Sequence, residues 1–258
     1  MGTISKIQWS IGQRGMLGTF KSAIKSFARK LLPAKPSPRH PFDEQHGVDT
    51  GGLIAGHDLG MGSPRDRFIT GYAGIPPSSF AGAMHAWRMS EPAHPISKYS
   101  FIDLGCGKGR AVLLASQLGF REAVGVELNR GLADIALANV TAWTAAEKVQ
   151  CPIRIVCGDA LDFAWPDGPI LVYLYNPFGE PVVQALARIL KARYSDNPAD
   201  LEVIYQKSEH AAVFEKGFNL IWRNAIAISA ADLRSELVAD PGDESCGFRL
   251  PLEIPRRD

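Results

Sequence analysis

The chain has 258 residues, of which 46% are hydrophobic and 21% are charged, with 25 glycines and 18 prolines. This composition is typical of a globular protein with a substantial core, and it excludes a disordered or collagen-like chain. Because no apolar stretch approaches the roughly 18 residues that cross a bilayer, the sequence also excludes a membrane-spanning helix.

Cysteine usage and the amino terminus bear on the cellular compartment. The amino terminus has no compact apolar segment ahead of a small-residue cleavage site, so its pattern does not indicate secretion. The cysteines show neither CxxC spacing nor Cys/His ligand spacing, which predicts free thiols and no metal site. They are Cys106, Cys151, Cys157 and Cys246. We therefore expect a cytoplasmic protein in a reducing environment.

The formal net charge of +1 conceals an uneven distribution of charge along the chain. Residues 1–42 contain eight of the 28 Lys and Arg residues and no Asp or Glu, so residues 43–258 hold 20 basic against 27 acidic residues. Within residues 16–32, an apolar stripe beside basic side chains predicts a basic amphipathic helix. Such a helix can make peripheral contact with an anionic membrane. Packing on the main domain, a solvated basic tail and an organelle-targeting peptide are the alternatives.

Three regions follow one another along the chain. Residues 1–42 are the basic arm with a proline-rich linker, and residues 43–97 are a Gly/Pro-rich cap segment whose helix is predicted to begin with Ser78 or Ser79 as N-cap. Residues 98–258 alternate short apolar runs with helical periods, which predicts an α/β domain with a doubly wound, mostly parallel sheet of seven strands. The predicted strands are Ser100–Leu104, Ala123–Leu128, Ile153–Val156, Ile170–Tyr175, Leu201–Tyr205, Leu220–Ser229 and Gly247–Ile254.

A glycine-rich turn follows the first of these strands. Gly105, Gly107 and Gly109 stand between a buried strand and a helix, where the absent Cβ atoms permit a tight turn and close approach of a ligand to the backbone. Backbone N–H groups at the start of such a helix can bind a carboxylate or a phosphate. A dinucleotide fingerprint would need a third glycine where Arg110 stands, and Lys108 lacks the context of a P-loop lysine. Both of those nucleotide sites are therefore disfavoured.

The strand, the turn from Asp103 to Gly109 (DLGCGKG) and the acidic position that follows resemble class I S-adenosylmethionine-dependent methyltransferases, from about Tyr99 to the C-terminus. The resemblance implies a Rossmann-like methyltransferase fold with a helical cap, and S-adenosyl-L-methionine as cofactor. It also implies that the glycine turn passes the methionine part of the cofactor. Asp103 is then expected to order the turn and face the charged end of the cofactor.

The same resemblance assigns roles to two further carboxylates. Glu127, at the end of the second strand, is expected to hold the ribose hydroxyls, because a carboxylate can accept two hydrogen bonds from vicinal hydroxyls. Asp159, after the third strand, is expected to contact the adenine. Either residue alone would be interpreted as a surface carboxylate or a helix cap. Their joint occurrence at strand ends, in the expected order, favours the cofactor roles.

The fourth predicted strand brings Asn176, Pro177 and Phe178 out at its carboxyl end, where open α/β sheets bind ligands. This tripeptide is similar to the Asn/Asp-Pro-Pro-aromatic motif of amino-methyltransferases, with one proline instead of two. The similarity implies that the Asn oxygen and a backbone carbonyl accept hydrogen bonds from the target nitrogen while the ring packs against it. The implied reaction is N-methylation, with a protein side chain, a small-molecule amine and the exocyclic amine of a nucleobase as the possible acceptors. A simple strand-ending turn is the alternative.

Other residues carry less specific hypotheses. Tyr72 to Ser78, together with the Asn motif, is weakly similar to the disruptor-of-telomeric-silencing type of lysine methyltransferase. Tyr72 is expected either to contact bound cofactor or to anchor the cap as a buried aromatic residue. The stretch from His46 to Gly52 is either a mobile lid or a connecting loop. Cys106 lacks an activating histidine arrangement, which favours a small side chain that fills the turn over a nucleophile.

Two functions of other classes compete with a methyltransferase. One is a non-catalytic module that retains cofactor binding and docks on a membrane, nucleic acid or partner protein through its basic arm. The other is a nicotinamide-dependent oxidoreductase. Nucleic acid is disfavoured as a substrate because residues 43–258 are net acidic and the arm alone supplies the basic charge.

Overall fold

The computed structural model describes residues 40–60, 68, 70–235, 240 and 243–251. The basic helix predicted within residues 16–32 lies outside these residues, so its contact with a membrane stays a prediction. Within the described part of the chain, no helix has the length and apolar character needed to cross a membrane.

The described residues of the cap segment form two α-helices and a small antiparallel pair of strands. The elements are α1 (Pro41–His46), β1 (Leu53–Ile54), β2 (Tyr72–Ala73) and α2 (Pro77–Met89). Helix α2 has Pro76 as its N-cap, so the predicted Ser78 or Ser79 N-cap is wrong. Pro77 occupies the first helical position, which suits its fixed φ and missing N–H. The Ser78 backbone N–H and hydroxyl instead donate to Asp232 Oδ2, a contact that the local sequence does not reveal.

A seven-stranded sheet forms the centre of the molecule, in the order β5-β4-β3-β6-β7-β9-β8. The first five strands in this order are parallel, and β9 pairs antiparallel with both β7 and β8. This arrangement confirms the predicted doubly wound α/β fold. The strands are β3 (Ser100–Leu104), β4 (Glu122–Glu127), β5 (Ile153–Cys157), β6 (Ile170–Tyr175), β7 (Leu201–Gln206), β8 (Asn219–Ala225) and β9 (Glu244–Arg249).

Helices cover both faces of the sheet, because the central strands are apolar on both sides. In β6, Ile170, Val172 and Leu174 share one core cluster with helix α5 (Glu180–Arg193). Leu171 and Tyr173 share another with α2 and helix α3 (Arg110–Ala115). The cap helix α2 is thus part of the layer that covers the sheet. The remaining helices are α3 (Arg110–Ala115), α4 (Arg130–Ala145), α5 (Glu180–Arg193), α6 (Ala211–Glu215) and α7 (Ala230–Ser235), with 3-10 turns at Gly56–Asp58, Ile96–Lys98, Ala160–Asp162 and Pro198–Asp200.

The buried carboxylate of Glu202 connects the cap helix α2 with the edge of the sheet at which the parallel strands begin. Glu202, near the start of β7, is 2% exposed. It accepts hydrogen bonds from Trp87 Nε1 at 2.7 Å and from the Tyr99 hydroxyl at 2.8 Å. The Arg249 guanidinium lies 3.0 Å from the same carboxylate. Burial, followed by the Glu202 charge, raises the pKa of Tyr99, so this phenol remains a hydrogen-bond donor.

We expect Glu202→Ala to lower the free energy of unfolding by about 2–4 kcal/mol, because the change leaves the buried Trp87 and Tyr99 donors without their acceptor and removes the ion-pair partner of the half-buried Arg249. Urea denaturation followed by circular dichroism measures this difference. Glu180→Ala is the matched control, since the Glu180 carboxylate is exposed, and its effect should stay below about 1 kcal/mol. Equal effects of the two substitutions would contradict the structural role of Glu202.

Candidate active site

A cavity of about 280 Å³ opens at the carboxyl ends of the parallel strands. Open α/β sheets bind ligands at this edge. The cavity is lined by the glycine turn, by the ends of β4, β5 and β6, and by part of the cap. The predicted site residues that line it are Tyr72, Asp103, Gly105, Gly107, Glu127, Asp159, Asn176, Pro177 and Phe178. Gly109 does not line it; it stands behind the turn as the N-cap of α3.

The glycine turn adopts the backbone that its sequence predicts. Gly105, Gly107 and Gly109 have φ angles of 77°, 54° and 88°, a left-handed region that disfavours other residues. A Cβ atom on Gly105 would lie 2.5 Å from Pro177 Cβ, and one on Gly107 would lie 2.2 Å from Tyr72 Cε2. Glycine is therefore required here both for conformation and for the close approach of the cap and of the β6 end.

Glu127 supports the turn from the end of β4. Its carboxylate is 8% exposed and accepts hydrogen bonds from the backbone N–H groups of Gly107 at 2.8 Å and Asn129 at 2.7 Å. Burial raises the pKa of Glu127, while these N–H donors act in the opposite direction. Because a carboxylate has about four acceptor positions, Glu127 retains capacity for a ligand hydroxyl.

Asp103 is the most unusual group in the cavity. It is 3% exposed, and no described residue forms a hydrogen bond or an ion pair with its carboxylate. Burial, and then the neighbouring Glu127 charge, raise the pKa of Asp103 well above its ordinary value. A buried carboxylate that faces a cavity without a partner is suited to a cationic or hydrogen-bond-donating ligand.

Asp159 follows β5 and begins the 3-10 turn Ala160–Asp162. Its Oδ1 atom accepts a hydrogen bond from Leu161 N at 2.9 Å, so it acts as a cap while it also lines the cavity. The two interpretations of this residue, helix cap and ligand contact, are compatible because a carboxylate has several acceptor positions.

Tyr72 joins the cap to the glycine turn. Its hydroxyl donates to the Thr50 carbonyl at 2.6 Å, and its ring packs against Gly107. The side chain is buried and also lines the cavity. Tyr72 therefore anchors the cap, as one of the two hypotheses expects, and it also faces the cavity.

A polar network behind the turn was missed by sequence reasoning. Arg110 is 2% exposed, and its guanidinium donates to Thr50 Oγ1 at 2.6 Å and to the Ile75 carbonyl at 2.9 Å. Asp43 accepts hydrogen bonds from the backbone of Thr50 at 2.9 Å and of Gly51 at 2.7 Å. The polar character of residues 43–51 was the only signal, and nothing in the sequence connects it with Arg110.

Hydrogen bonds hold the stretch from His46 to Gly52 against the start of α3 and against α4. Lys108 Nζ donates to Asp49 Oδ1 at 2.8 Å and to the Gly51 carbonyl at 2.9 Å. Asn139 accepts from Asp49 N at 2.8 Å and donates to the Asp49 carbonyl at 2.7 Å. These bonds favour a fixed strap over a mobile lid.

Asn176 adopts an unusual backbone conformation at the end of β6, with a φ angle of 45°. Its Oδ1 atom accepts a hydrogen bond from the Tyr205 hydroxyl at 3.0 Å, and its carbonyl accepts one from Thr70 Oγ1 at 2.8 Å. The next carbonyl, of Pro177, accepts from Thr70 N at 3.3 Å. Phe178 packs against the core cluster beneath α5 and lines the cavity. Tyr205 and Thr70 were not identified from the sequence.

Cys106 and metal binding can be assessed from the same geometry. Burial, and then the Asp103 and Glu127 charges, raise the pKa of the Cys106 thiol well above its ordinary value. The thiol therefore stays protonated, which agrees with a small filling side chain rather than a nucleophile. Among the described residues, no cluster of three or more His, Cys, Asp or Glu side chains could hold a metal ion.

A doubly wound parallel sheet, a glycine turn after its first central strand and acidic residues at the ends of the next two strands define an α/β enzyme that binds a nucleoside-containing cofactor. Residues 102–193 match the family described as a methyltransferase domain. This stretch runs from β3 to the end of α5 and holds the glycine turn, Glu127, Asp159 and Asn176. Residues 102–193 thus form a methyltransferase domain, and S-adenosylmethionine is its cofactor.

Solved structures are similar to the chain at low identity. An RNA methyltransferase from Salinibacter ruber, in complex with S-adenosyl-L-homocysteine, is 20% identical, with 67% of this chain and 93% of that chain covered and a TM-score of 0.40. A magnesium protoporphyrin IX methyltransferase from Synechocystis PCC 6803, with bound cofactor, is 12% identical, covering 67% and 80% with a TM-score of 0.47. A ribosomal protein methylase from Lactobacillus delbrueckii subsp. bulgaricus is 15% identical, covering 67% and 77% with a TM-score of 0.43. No curated protein sequence matches the chain.

Proposed function

We propose that this methyltransferase methylates an amine nitrogen, of a protein side chain or of a small molecule, held at Asn176, Pro177 and Phe178. The observation that carries the proposal is the left-handed Asn176, whose side-chain and main-chain oxygens lie together at the carboxyl end of β6 beside the cavity. Strained residues of this kind persist where the surrounding contacts hold them, and they concentrate at functional sites.

The groups that line the cavity fit S-adenosylmethionine. The unpartnered, buried Asp103 carboxylate suits the ammonium of the methionine part, and the remaining lone pairs of Glu127 suit the ribose hydroxyls. Asp159 is the candidate contact for the adenine, and the Tyr72 ring would face the cofactor across the glycine turn. Gly105 and Gly107 line the cavity with Tyr72 and Pro177 packed against them, so a cofactor at the turn would lie between the cap and the end of β6.

The chain's own residues would orient the acceptor. When bound, S-adenosylmethionine supplies an electrophilic methyl group on a sulfonium. Asn176 Oδ1 and the Asn176 and Pro177 carbonyls each carry one recorded hydrogen bond and have a second lone pair for an amine N–H. Two such bonds would aim the nitrogen lone pair at the methyl carbon. Alignment of the two reactants and exclusion of water would then supply most of the acceleration of methyl transfer.

Proton transfer needs little machinery in this scheme. The acceptor nitrogen reacts as the neutral amine, forms the new N–C bond as the S–C bond breaks, and gives up its proton to water. Burial raises the pKa of Tyr205, so its phenol does not serve as a base. The fixed acceptors at Asn176 would stabilise the N–H groups of the developing ammonium.

The choice between acceptor classes rests on charge. Residues 43–258 hold 20 basic against 27 acidic residues, and this balance disfavours a polyanionic nucleic acid. A protein side chain or a small amine needs no basic groove.

The test is to incubate the full chain with methyl-labelled S-adenosylmethionine and a cell extract. The extract comes from a strain that lacks this protein, so that the acceptor is not already methylated. Label is then counted in the protein, nucleic-acid, lipid and small-molecule fractions, with and without protease or nuclease. We expect label in the protein or small-molecule fraction, stable to base as an N-methyl group. Label confined to nucleic acid or lipid would overturn the acceptor class. Cofactor binding without transfer to any fraction would support a non-catalytic module instead.

A further inference from the structure

The backbone of Asn176 is left-handed, and no helix end accounts for this conformation. Among the described residues, the non-glycine residues with positive φ are Glu91, Glu147, Asn176 and Lys207. Glu91 and Glu147 directly follow the C-caps of α2 and α4, where a left-handed residue commonly ends a helix. Asn176 directly follows β6 and Lys207 directly follows β7, so no helix end accounts for either residue. Asparagine adopts this conformation more readily than other non-glycine residues, and contacts on both sides of Asn176 hold it there.

Tyr205 holds the side chain of Asn176 from the neighbouring strand. Tyr205 pairs with Leu174 in the parallel ladder of β6 and β7, and its side chain is fully buried. Burial raises the pKa of Tyr205, so the phenol keeps its proton and can donate it in a hydrogen bond. It is donated to Asn176 Oδ1 at 3.0 Å, which fixes which end of the amide carries the oxygen.

Thr70 holds the main chain of the same residue from the cap. Its hydroxyl donates to the Asn176 carbonyl at 2.8 Å, and its N–H donates to the Pro177 carbonyl at 3.3 Å. A third bond runs the other way, from Gly179 N to the Phe68 carbonyl at 2.9 Å. The turn after β6 is thus bound on one side by the sheet and on the other by the cap.

We infer that Tyr205 is a positioning residue for methyl transfer: it orients the Asn176 amide toward the acceptor nitrogen, while Thr70 fixes the left-handed peptide that carries this amide. Tyr205 does not line the cavity, so it acts only through Asn176. This inference rests on the proposed function. It predicts an effect on turnover, and none on cofactor affinity, when the Tyr205 hydroxyl is removed.

The first experiment compares Tyr205→Phe with the matched control Tyr194→Phe. Both remove a buried phenolic hydroxyl, but no described residue forms a hydrogen bond with the Tyr194 hydroxyl. Initial rates of label transfer from S-adenosylmethionine are measured over a dilution series of the extract, and calorimetry gives the Kd of S-adenosylhomocysteine. We expect Tyr205→Phe to lower maximal turnover about tenfold with Kd unchanged within about twofold. Tyr194→Phe should retain both values.

A double-mutant cycle separates positioning from a general structural role. If Tyr205 acts through Asn176, adding Tyr205→Phe to Asn176→Ala should not lower the residual turnover further. A further tenfold loss in the double variant would show that the two residues act independently and would overturn the inference. Wild-type turnover in Tyr205→Phe would overturn it as well.

Thr70 provides the second arm of the test. Thr70→Val removes the hydroxyl at nearly constant shape, whereas Thr70→Ser retains it. We expect turnover to fall in Thr70→Val and to be largely restored in Thr70→Ser, and equal losses in both variants would contradict the role of the hydroxyl. Absence of label transfer by the unaltered protein, or full turnover in Asn176→Ala, would count against the proposed function itself and not against Tyr205 alone.

Discussion

Asn176→Ala is expected to lower methyl transfer by about 100-fold while the affinity for S-adenosylhomocysteine stays within about twofold of the wild type. The substitution removes the side-chain acceptor that would orient the amine, and it also places alanine at a φ angle of 45°. No hydrogen bond connects Asn176 with the glycine turn or with Glu127 among the described contacts. Label transfer into the extract fraction and calorimetry with S-adenosylhomocysteine measure the two quantities separately.

Asn176→Gly distinguishes the two consequences of this substitution. Glycine adopts the left-handed conformation without steric cost, so it retains the backbone but lacks the amide. We expect both variants to be equally inactive, with the glycine variant the more stable of the two. Recovery of turnover in Asn176→Gly would show that backbone strain, and not the amide, caused the loss. Full turnover in both variants would refute the acceptor site.

Glu127→Ala is expected to weaken binding of S-adenosylhomocysteine about 100-fold. Charge-assisted hydrogen bonds of the kind that a ribose would make contribute about 1.5–3 kcal/mol each. The substitution also leaves the backbone N–H of Gly107 without its acceptor, which loosens the turn. Glu122 is the matched control because it begins the strand that Glu127 ends, and it bonds Ser100 Oγ at 2.7 Å at the opposite end of the sheet. Glu122→Ala should leave the Kd unchanged, and equal effects would contradict the assignment.

The pH dependence of S-adenosylhomocysteine binding is a second test of the role of Glu127. Burial raises the pKa of Glu127, so its carboxylate takes up a proton at a higher pH than an exposed glutamate does. A protonated carboxyl group has lost acceptor capacity, and binding should therefore weaken as the pH falls. Glu127→Gln removes this titration, so its affinity should depend less steeply on pH than that of the wild type.

Local sequence patterns predict those parts of this protein that local physics determines. Four of the five parallel strands are short, largely apolar runs buried on both faces, whereas the edge strand β5 is partly exposed. Only glycine suits the φ angles and the close contacts at Gly105 and Gly107. The carboxylates at the ends of β4 and β5 follow from the same register, because parallel strands end at a common edge of the sheet. The cavity contains both of them.

Long-range contacts account for what the sequence did not reveal. Tyr205 and Asn176 are 29 residues apart, and Arg110 and Thr50 are 60 residues apart, so no periodicity links the members of either pair. The last two strands were predicted at Leu220–Ser229 and Gly247–Ile254, but they lie at Asn219–Ala225 and Glu244–Arg249. Antiparallel pairing with β7 fixes the register of β9, and neighbouring strands rather than local composition decide where such strands begin.

The position of helix α2 has a consequence for any attempt to isolate the catalytic unit. The region that matches the methyltransferase family begins at residue 102, well after this helix. Phe80, Met84 and Trp87 nevertheless seal one face of the sheet, and a large side chain contributes about 1.5–3 kcal/mol when it is buried. A fragment that begins at residue 102 would expose this apolar face of the sheet to water, and we expect such a fragment to self-associate. Helix α2 is therefore part of the enzyme's hydrophobic core, and a catalytic fragment has to include it.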